Sequence, residues 1–223
     1  MNKRTFIAIL AAVFISATLY SQEKKSESKE GAEAAGKQKM TVYQEIILED
    51  FETTPYTDKN ITFNVTSDQE ARLAIRTDLP AYEKSKKYLG IKMKSRGGDI
   101  FIIKPAKEII LDKYCKSISF WIYGKKTLGE LSFMLQDTRQ NNHKLIIIPT
   151  VDFLGWKQVT INLGKRIAQE EDFLNQKKTM KLINIQYRTA SSKERPSAWQ
   201  FLYLDDITAV VRDRYTDKQS DEW

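Results

Sequence analysis

The sequence contains one histidine and one cysteine among 223 residues, and this scarcity excludes several kinds of chemistry. A metal site built from several histidines cannot form, and a catalytic triad would depend on His143 alone. Because polar residues precede His143, we predict an exposed histidine in a turn. A single thiol cannot form an intramolecular disulfide, so the fold must depend on its core. Cys115 opens an apolar segment, which predicts a buried, unreactive thiol; a reactive or intermolecular thiol is the alternative.

Dense clusters of basic residues are also missing. The chain has 36 Lys and Arg residues against 29 Asp and Glu residues, and the net charge of +7 is spread along the sequence. Nucleic-acid binding needs basic residues gathered on one face, so nucleic acid is not a predicted partner. The mild excess favours an acidic or polyhydroxyl partner. Hydrophobic residues make up 41% of the chain, which excludes wholesale disorder.

The first 40 residues differ in composition from the rest and predict two segments outside the folded domain. Two basic residues precede an apolar run at residues 6–19 that is too short for a transmembrane helix. Residues 1–21 are therefore predicted to be a cleavable signal peptide for export, with no membrane contact after cleavage; an uncleaved anchor is the alternative. The composition of the remainder predicts a flexible linker at residues 22–40, one folded domain at residues 41–213 and a polar C-terminal tail at residues 214–223.

Hydrophobic and polar residues alternate over most of the predicted domain, which is typical of strands that bury one face. Leu89, Ile91 and Met93 give the clearest example. About ten or eleven such segments follow one another, and only residues 165–176 predict a short helix. Many short strands without alternating helices predict an all-β fold, a jelly-roll β-sandwich with one short helix.

A pair of glycines separates two of these predicted strands. Gly97 and Gly98 lie between residues 88–94 and residues 100–104. Glycine pairs between alternating runs are typical of β-hairpins, because glycine adopts the positive φ angles of tight hairpin turns. We therefore predict a hairpin at this position.

Carboxylates concentrate in the first and last predicted strands. If these strands are neighbours, the carboxylates converge. Three interpretations remain open: turn and capping acids at a β-bulge, a structural calcium site, and the acid/base pair of a glycosidase. The broken alternation between Leu204 and Ile207 favours the bulge, and no catalytic residue and no cofactor are predicted. The carboxylates concerned are Glu49, Asp50, Glu52, Asp205 and Asp206.

Two groups of residues are candidates for contact with a partner. Alternation places Lys92, Lys94 and Arg96 in an outward row, which suits an acidic protein surface or a glycan. It also places Trp121 and Tyr123 on the outer side of their strand, where aromatic rings stack on sugars or become buried in an interface. A solvated strand face and packing beneath a loop are the respective alternatives.

Four segments together resemble the FlaA-type flagellar filament outer-layer proteins of spirochaetes. They are IILEDFE at residues 46–52, GWKQVTINL at residues 155–163, INIQYRT at residues 183–189 and FLYLDDITAVVRDRYTD at residues 201–217. The resemblance extends in order over most of residues 44–217. Parts of these motifs also occur in jelly-roll carbohydrate-binding modules, whose fold is galactose-binding-like.

The resemblance implies a structural sheath protein without enzymatic activity. Such a protein is exported to the periplasm and coats the flagellin-like core of a periplasmic flagellar filament, where it influences filament curvature, stiffness and motility. The implied partners are flagellin-like core subunits, other sheath proteins and flagellin glycans. The alternative from another class is a secreted or periplasmic carbohydrate-binding module.

Overall fold

The computed structural model describes residues 43–63, 69–169, 179–191 and 198–213. The predicted signal peptide, linker and C-terminal tail lie outside these residues. No helix among the described residues is long and apolar enough to cross a membrane. Twelve strands are found here: β1 Gln44–Glu49, β2 Ile61–Phe63, β3 Glu70–Arg76, β4 Tyr88–Ser95, β5 Ile100–Ile103, β6 Ile109–Leu111, β7 Tyr114–Lys125, β8 Glu130–Gln136, β9 Asn142–Ile148, β10 Leu154–Asn162, β11 Met180–Arg188 and β12 Ala198–Arg212.

The strands form two six-stranded antiparallel sheets. The first sheet has the order β10–β7–β12–β4–β3, with β1 also paired to β12. The second has the order β2–β5–β11–β8–β9, with β6 also paired to β11. The chain passes repeatedly from one sheet to the other. The two sheets pack face to face, so that one face of each sheet is buried in the core. The predicted jelly-roll β-sandwich is confirmed.

The first and last strands are neighbours, which is the condition under which their carboxylates converge. β1 pairs with the second half of β12, from Gln44 opposite Val211 to Glu49 opposite Ile207. The predicted bulge is present in β12, where the register against β7 shifts between Asp205 and Thr208. The extra residue reverses which positions face the core. Because of it, Leu202 and Leu204 before the bulge and Ile207, Ala209 and Val211 after it are all buried.

The predicted hairpin at Gly97 and Gly98 is wrong. β4 belongs to the first sheet and β5 to the second, so this turn carries the chain between layers. The turn is fixed to the end of β11, because the Gly98 N–H donates to the Thr189 carbonyl at 3.2 Å and the Thr189 hydroxyl donates to the Arg96 carbonyl at 2.7 Å. Gly98 does adopt a positive φ of 89°, as a tight turn requires.

The predicted helix at residues 165–176 is not found in the part that the structure describes. A single 3₁₀ turn spans Gly164–Arg166, and residues 167–169 are not helical. Residues 170–178 lie outside the described residues. The predicted helix is therefore wrong at its start. The short strand β6, by contrast, was not predicted from the sequence.

The core between the sheets is aliphatic with a few aromatic rings. Phe120 of the first sheet and Phe133 of the second have ring centroids 5.0 Å apart. Tyr187 on β11 is fully buried against Gly129, which precedes β8. A Cβ atom on Gly129 would overlap the hydroxyl oxygen and Cζ of Tyr187. Since Gly129 does not have a positive φ angle, the need for glycine here is steric.

Replacing Gly129 by alanine should therefore destabilise the protein by about 2 kcal/mol or more, through overpacking and displacement of the Tyr187 ring. Chemical denaturation of the variant and the wild type measures the difference. An unchanged denaturation midpoint would show that the ring moves aside at no cost.

Candidate binding face

The candidate site is the face of the first sheet that points away from the core, here called the outer face. Cross-strand register defines it, because directly opposed residues share a face. Trp199 lies opposite Lys94, Phe201 opposite Lys92, and Tyr203 opposite both Gly90 and Tyr123. On the edge strands, Trp156 lies opposite Tyr123 and Arg72 opposite Lys92. The outer face therefore combines aromatic rings with basic side chains.

Four aromatic rings at the centre of the outer face form a closed cluster. Each ring meets two others edge to face, with centroids 5.3–5.6 Å apart and interplanar angles of 82–86°. Tyr88 and Trp156 lie on strands three positions apart, which separates their backbones by roughly 14 Å. Their contact at 5.3 Å means that both side chains lean over the two strands between them. The cluster, here called the aromatic cluster, comprises Tyr88, Tyr123, Trp156 and Tyr203.

The connection between β3 and β4 covers one end of the aromatic cluster; we call residues 77–87 the capping segment. The Tyr88 hydroxyl donates to Asp78 at 2.8 Å, and the Trp156 indole N–H donates to the Leu79 carbonyl at 3.0 Å. The ring of Tyr82 stacks on Trp121 at 5.9 Å. The capping segment thus lies against Tyr88, Trp156 and Trp121 at this end of the outer face.

The carboxylates of the last strand fix the capping segment to the bulge. Ser85 Oγ donates to Asp205 Oδ2 at 2.6 Å, and the Tyr82 hydroxyl donates to Asp206 Oδ2 at 2.9 Å. Asp206 has a φ of 46°, in the left-handed region that aspartate tolerates better than most residues. The bulge thus turns two adjacent carboxylates toward the same segment.

The carboxylates at the end of β1 and just after it have similar structural roles. Glu49 is buried, and it accepts hydrogen bonds from the Phe51 N–H at 2.9 Å and the Tyr56 hydroxyl at 3.2 Å. Asp50 accepts from the Glu52 N–H at 3.0 Å. Glu52 accepts from the backbone N–H groups of residues 86 and 87 at 2.6 and 3.0 Å, at the end of the capping segment. These bonds support the interpretation of the carboxylates as turn and capping acids. Within the described ranges, no group of three or more His, Cys, Asp or Glu residues is placed to hold a metal ion.

The surroundings of Asp205 disfavour the charged form of its carboxylate. Burial raises its pKa to about 6, and the neighbouring Asp206 charge adds to the effect, while the Ser85 hydrogen bond opposes it. Asp205 Oδ1 is buried and has no hydrogen-bond partner. Burial likewise raises the pKa of Asp206. The anchor of the capping segment is therefore easier to protonate than an exposed carboxylate.

This shift predicts a pH-dependent stability. The folded pKa of Asp205, about 6, lies above the ordinary value of 3.8, so the folded state binds the proton more tightly than the unfolded state. The free energy of unfolding should rise on the order of 1 kcal/mol as the pH falls from 7 to 5, and this gain is lost as the pH rises through 6. Denaturation curves at several pH values measure it.

Asp205→Asn removes the titrating group and should flatten this dependence. Asp112→Asn makes the same change at an exposed position and should keep the wild-type slope. Equal slopes for all three proteins would show that Asp205 is not the group responsible.

Beyond the aromatic cluster the outer face is open and basic. Trp199 is 40% exposed, and Lys92 Nζ lies 4.2 Å from its ring centroid. Lys125 Nζ lies 5.1 Å from the Phe201 ring and 5.4 Å from that of Tyr203. These distances allow cation–π attraction, which holds the ammonium groups above the rings.

Three basic side chains cross this open end, and we call Arg72, Lys92 and Lys125 the basic row. Arg72 and Lys92 are directly opposed on β3 and β4, an arrangement in which like charges repel. Among the described residues, no carboxylate forms a salt bridge with any member of the basic row. Within the described ranges the basic row is therefore a positive surface that no salt bridge neutralises.

The structure places the five candidate contact residues predicted from the sequence in different surroundings. Lys92 belongs to the basic row, but Lys94 forms an ion pair with Glu70 at 3.5 Å. Arg96 follows the last residue of β4, and its N–H donates to Asp99 at 2.8 Å, so it does not continue the strand. Trp121 lies beneath Tyr82, and Tyr123 lies within the aromatic cluster. Neither ring is an open platform for a sugar.

Sequence reasoning missed Arg72, Lys125, Phe201 and Tyr203 as members of the site. Each lies in or next to a segment that was predicted to be a strand, but only the register between strands brings them together with Lys92 and Trp199.

The structure also shows the surroundings of the single cysteine and the single histidine, Cys115 and His143. Cys115 is fully buried, as predicted, and burial raises the pKa of its thiol to about 12. The prediction for His143 is wrong: it lies half-buried in β9, with Nε2 2.8 Å from Oδ2 of buried Asp137.

Two antiparallel sheets with a basic, aromatic outer face define a jelly-roll β-sandwich protein. In fold it is similar to the family 11 carbohydrate-binding module of a cellulosomal cellulase from Clostridium thermocellum, at 14% identity and a TM-score of 0.46 over 77% of this chain and 97% of that module. It is also similar to the CBM22-2 xylan-binding domain of Xyn10C from Paenibacillus barcinonensis, at 17% identity and a TM-score of 0.41 over 73% of this chain and 97% of that domain.

The family of the chain is identified by comparison of its sequence. Residues 59–219 match the sequence model of the flagellar filament outer layer protein FlaA, and the chain belongs to that family. A flagellar filament outer layer-like protein of Brachyspira hyodysenteriae is 28% identical over 91 residues, which cover 40% of this chain and 42% of that protein. The chain is thus matched over less than half of that relative's length. The resemblance drawn from the four motifs is confirmed.

Proposed function

We propose that the protein is a structural, non-enzymatic subunit of the outer layer of a periplasmic flagellar filament. It coats a core of flagellin-like subunits beside other sheath proteins, and it contributes to the curvature and stiffness of the filament and hence to motility. Membership of the outer-layer family supports this role. The signal peptide predicted from the sequence of residues 1–21 agrees with a periplasmic location. We expect the protein to work without a cofactor.

The basic row is the surface that we propose for docking on the core. Opposed like charges such as Arg72 and Lys92 cost roughly 0.2–1 kcal/mol in a sheet. A carboxylate placed between them would remove this repulsion and gain charge-assisted hydrogen bonds. Because the rings of Trp199 and Phe201 hold the lysines in place, little side-chain entropy is lost on binding. Among the described residues no salt bridge neutralises the basic row. From this observation we infer that the surface of the filament core is acidic where the protein docks.

The capping segment narrows the choice of docking surface further. It lies over Trp121 through the ring of Tyr82, and the rings of the aromatic cluster pack against one another. The open end of the outer face therefore presents charged groups to a partner more than it presents apolar area. Contacts of this kind are individually weak and salt-sensitive, and a repeated array of subunits makes them strong together.

A second candidate function is carbohydrate binding through Trp199. Its ring is 40% exposed, and tryptophan rings stack on sugars. In this structure, however, Lys92 already lies over the ring, which suits an anionic ligand better than a neutral sugar. An isolated carbohydrate-binding module would bind an oligosaccharide without any filament.

Reversing the charge of the basic row should weaken docking. The double substitution Lys92→Glu and Lys125→Glu places acids where the partner is proposed to be acidic. Binding to purified filament cores that lack their outer layer should fall by about tenfold or more at low salt, as expected for loss of two close charge contacts. Co-sedimentation over a range of protein and salt concentrations measures the affinity.

Lys116→Glu is the control for a single charge reversal outside the basic row. Lys116 also lies over an exposed aromatic ring, that of Tyr43 at 5.0 Å, but it is not part of the basic row. It should bind cores as the wild type does. If both variants bind unchanged, the docking surface is elsewhere. Calorimetry against a panel of neutral and acidic glycans tests the second function: binding that Trp199→Ala abolishes would favour the carbohydrate-binding module.

A further inference from the structure

The capping segment is held to the first sheet by polar contacts more than by buried apolar area. Among its residues only Ser85 is buried, and Leu79 is 58% exposed. Ser85 and Tyr82 donate to Asp205 and Asp206, here called the bulge carboxylates, at 2.6 and 2.9 Å. A segment with few buried apolar contacts opens locally at a lower free energy than the core strands do.

The bulge carboxylates are adjacent acids without a neutralising cation. Among the described residues no basic side chain forms a salt bridge with either of them. Asp205 is 1% exposed, and its Oδ1 atom has no hydrogen-bond partner in the described part of the chain. The hydroxyl groups of Ser85 and Tyr82 bind the carboxylates but do not compensate their charge. The closed capping segment therefore buries a charged group that is only partly satisfied, which is costly.

The groups packed around the bulge carboxylates do not offset this cost. From β7, the residue opposite Asp205 is Trp121, which is uncharged. From the capping segment, the ammonium group of Lys87 donates to the Glu52 carbonyl at 2.6 Å. Three further carboxylates, on β1 and just after it, act on Asp206 or on the Tyr82 hydroxyl bound to it: Glu45, Asp50 and Glu52. They add negative charge next to the bulge.

We propose that the capping segment is a latch that opens by releasing Ser85 and Tyr82 from the bulge, and that loss of a proton from the bulge carboxylates favours the open form. Opening frees the ring of Trp121 from Tyr82 and lets water reach Asp205. The latch is a property of this chain alone and does not depend on the proposed function.

The direction of the pH effect follows from the burial of Asp205. Burial raises its pKa to about 6, so the closed form binds the proton more tightly than an open form in which the carboxylate is hydrated. The closed form is therefore stabilised at low pH, and this stabilisation is lost as the pH rises through about 6.

Hydrogen exchange of the full-length protein between pH 5 and pH 7 tests the latch. Hydrogen bonds protect backbone N–H groups of the capping segment: that of Ser85 donates to the Tyr82 carbonyl, and those of residues 86 and 87 donate to Glu52. After correction for the chemical exchange rate, their opening equilibrium constant should rise severalfold, up to about tenfold, from pH 5 to pH 7. Low concentrations of urea should not change it, because a local opening exposes little surface.

Asp205→Asn removes the titrating group and should make this opening constant independent of pH. Asp112→Asn, at an exposed position, is the matched control and should keep the wild-type dependence. Tyr82→Phe keeps the ring over Trp121 but removes the hydroxyl that binds Asp206. It should raise the opening constant severalfold at both pH values, and it provides a second test should Asp205→Asn fold poorly.

Three results would overturn the latch. They are an opening constant that does not change with pH in the wild-type protein, a pH dependence that Asp205→Asn leaves intact, and exchange in the capping segment that responds to urea as strongly as exchange in β11. The last result would mean that the segment opens only when the whole domain unfolds. None of these measurements involves filament cores, so the latch and the docking surface are tested separately.

Discussion

The bulge in β12 is the constraint on which the rest of the structure depends. β12 pairs with β7 along one edge, and along the other it pairs first with β4 and then with β1. A regular strand would turn either Leu202 and Leu204 or Ile207 and Val211 out of the core. One extra residue near Asp206 keeps all four buried, which is worth several kcal/mol of hydrophobic free energy. The same irregularity turns two carboxylates toward the capping segment.

That arrangement determines which part of the outer face is available. Asp205 and Asp206 hold the capping segment through Ser85 and Tyr82, and the capping segment in turn covers Trp121 and contacts the aromatic cluster. Most of the aromatic area is therefore used to hold the protein together. What remains open is the end of the sheet where β12 begins, with Trp199 and the basic row. The residues of β12 near the bulge thus stabilise the fold, whereas those at its start belong to the proposed docking surface.

The sequence was informative wherever a property is local to one strand. Alternation identified the buried face of Leu89, Ile91 and Met93, and the interval from Leu204 to Ile207 indicated the bulge. It was uninformative about partners across strands. Glu70 neutralises Lys94 from a strand that the chain reaches 24 residues earlier, and Arg72 comes to face Lys92 only through the register of β3 against β4. The glycine pair at residues 97 and 98 encodes a turn, but not whether the next strand stays in the same sheet.

The central claim, that the basic row meets the filament core, is tested most directly by lysine footprinting of the bound protein. Amine labelling of the wild-type protein, free and bound to filament cores, gives the protection of each lysine by mass spectrometry. The account predicts that Lys92 and Lys125 become protected on binding while Lys116, at a distance from the basic row, keeps its reactivity. Protection of Lys116 with unchanged labelling of Lys92 and Lys125 would contradict it.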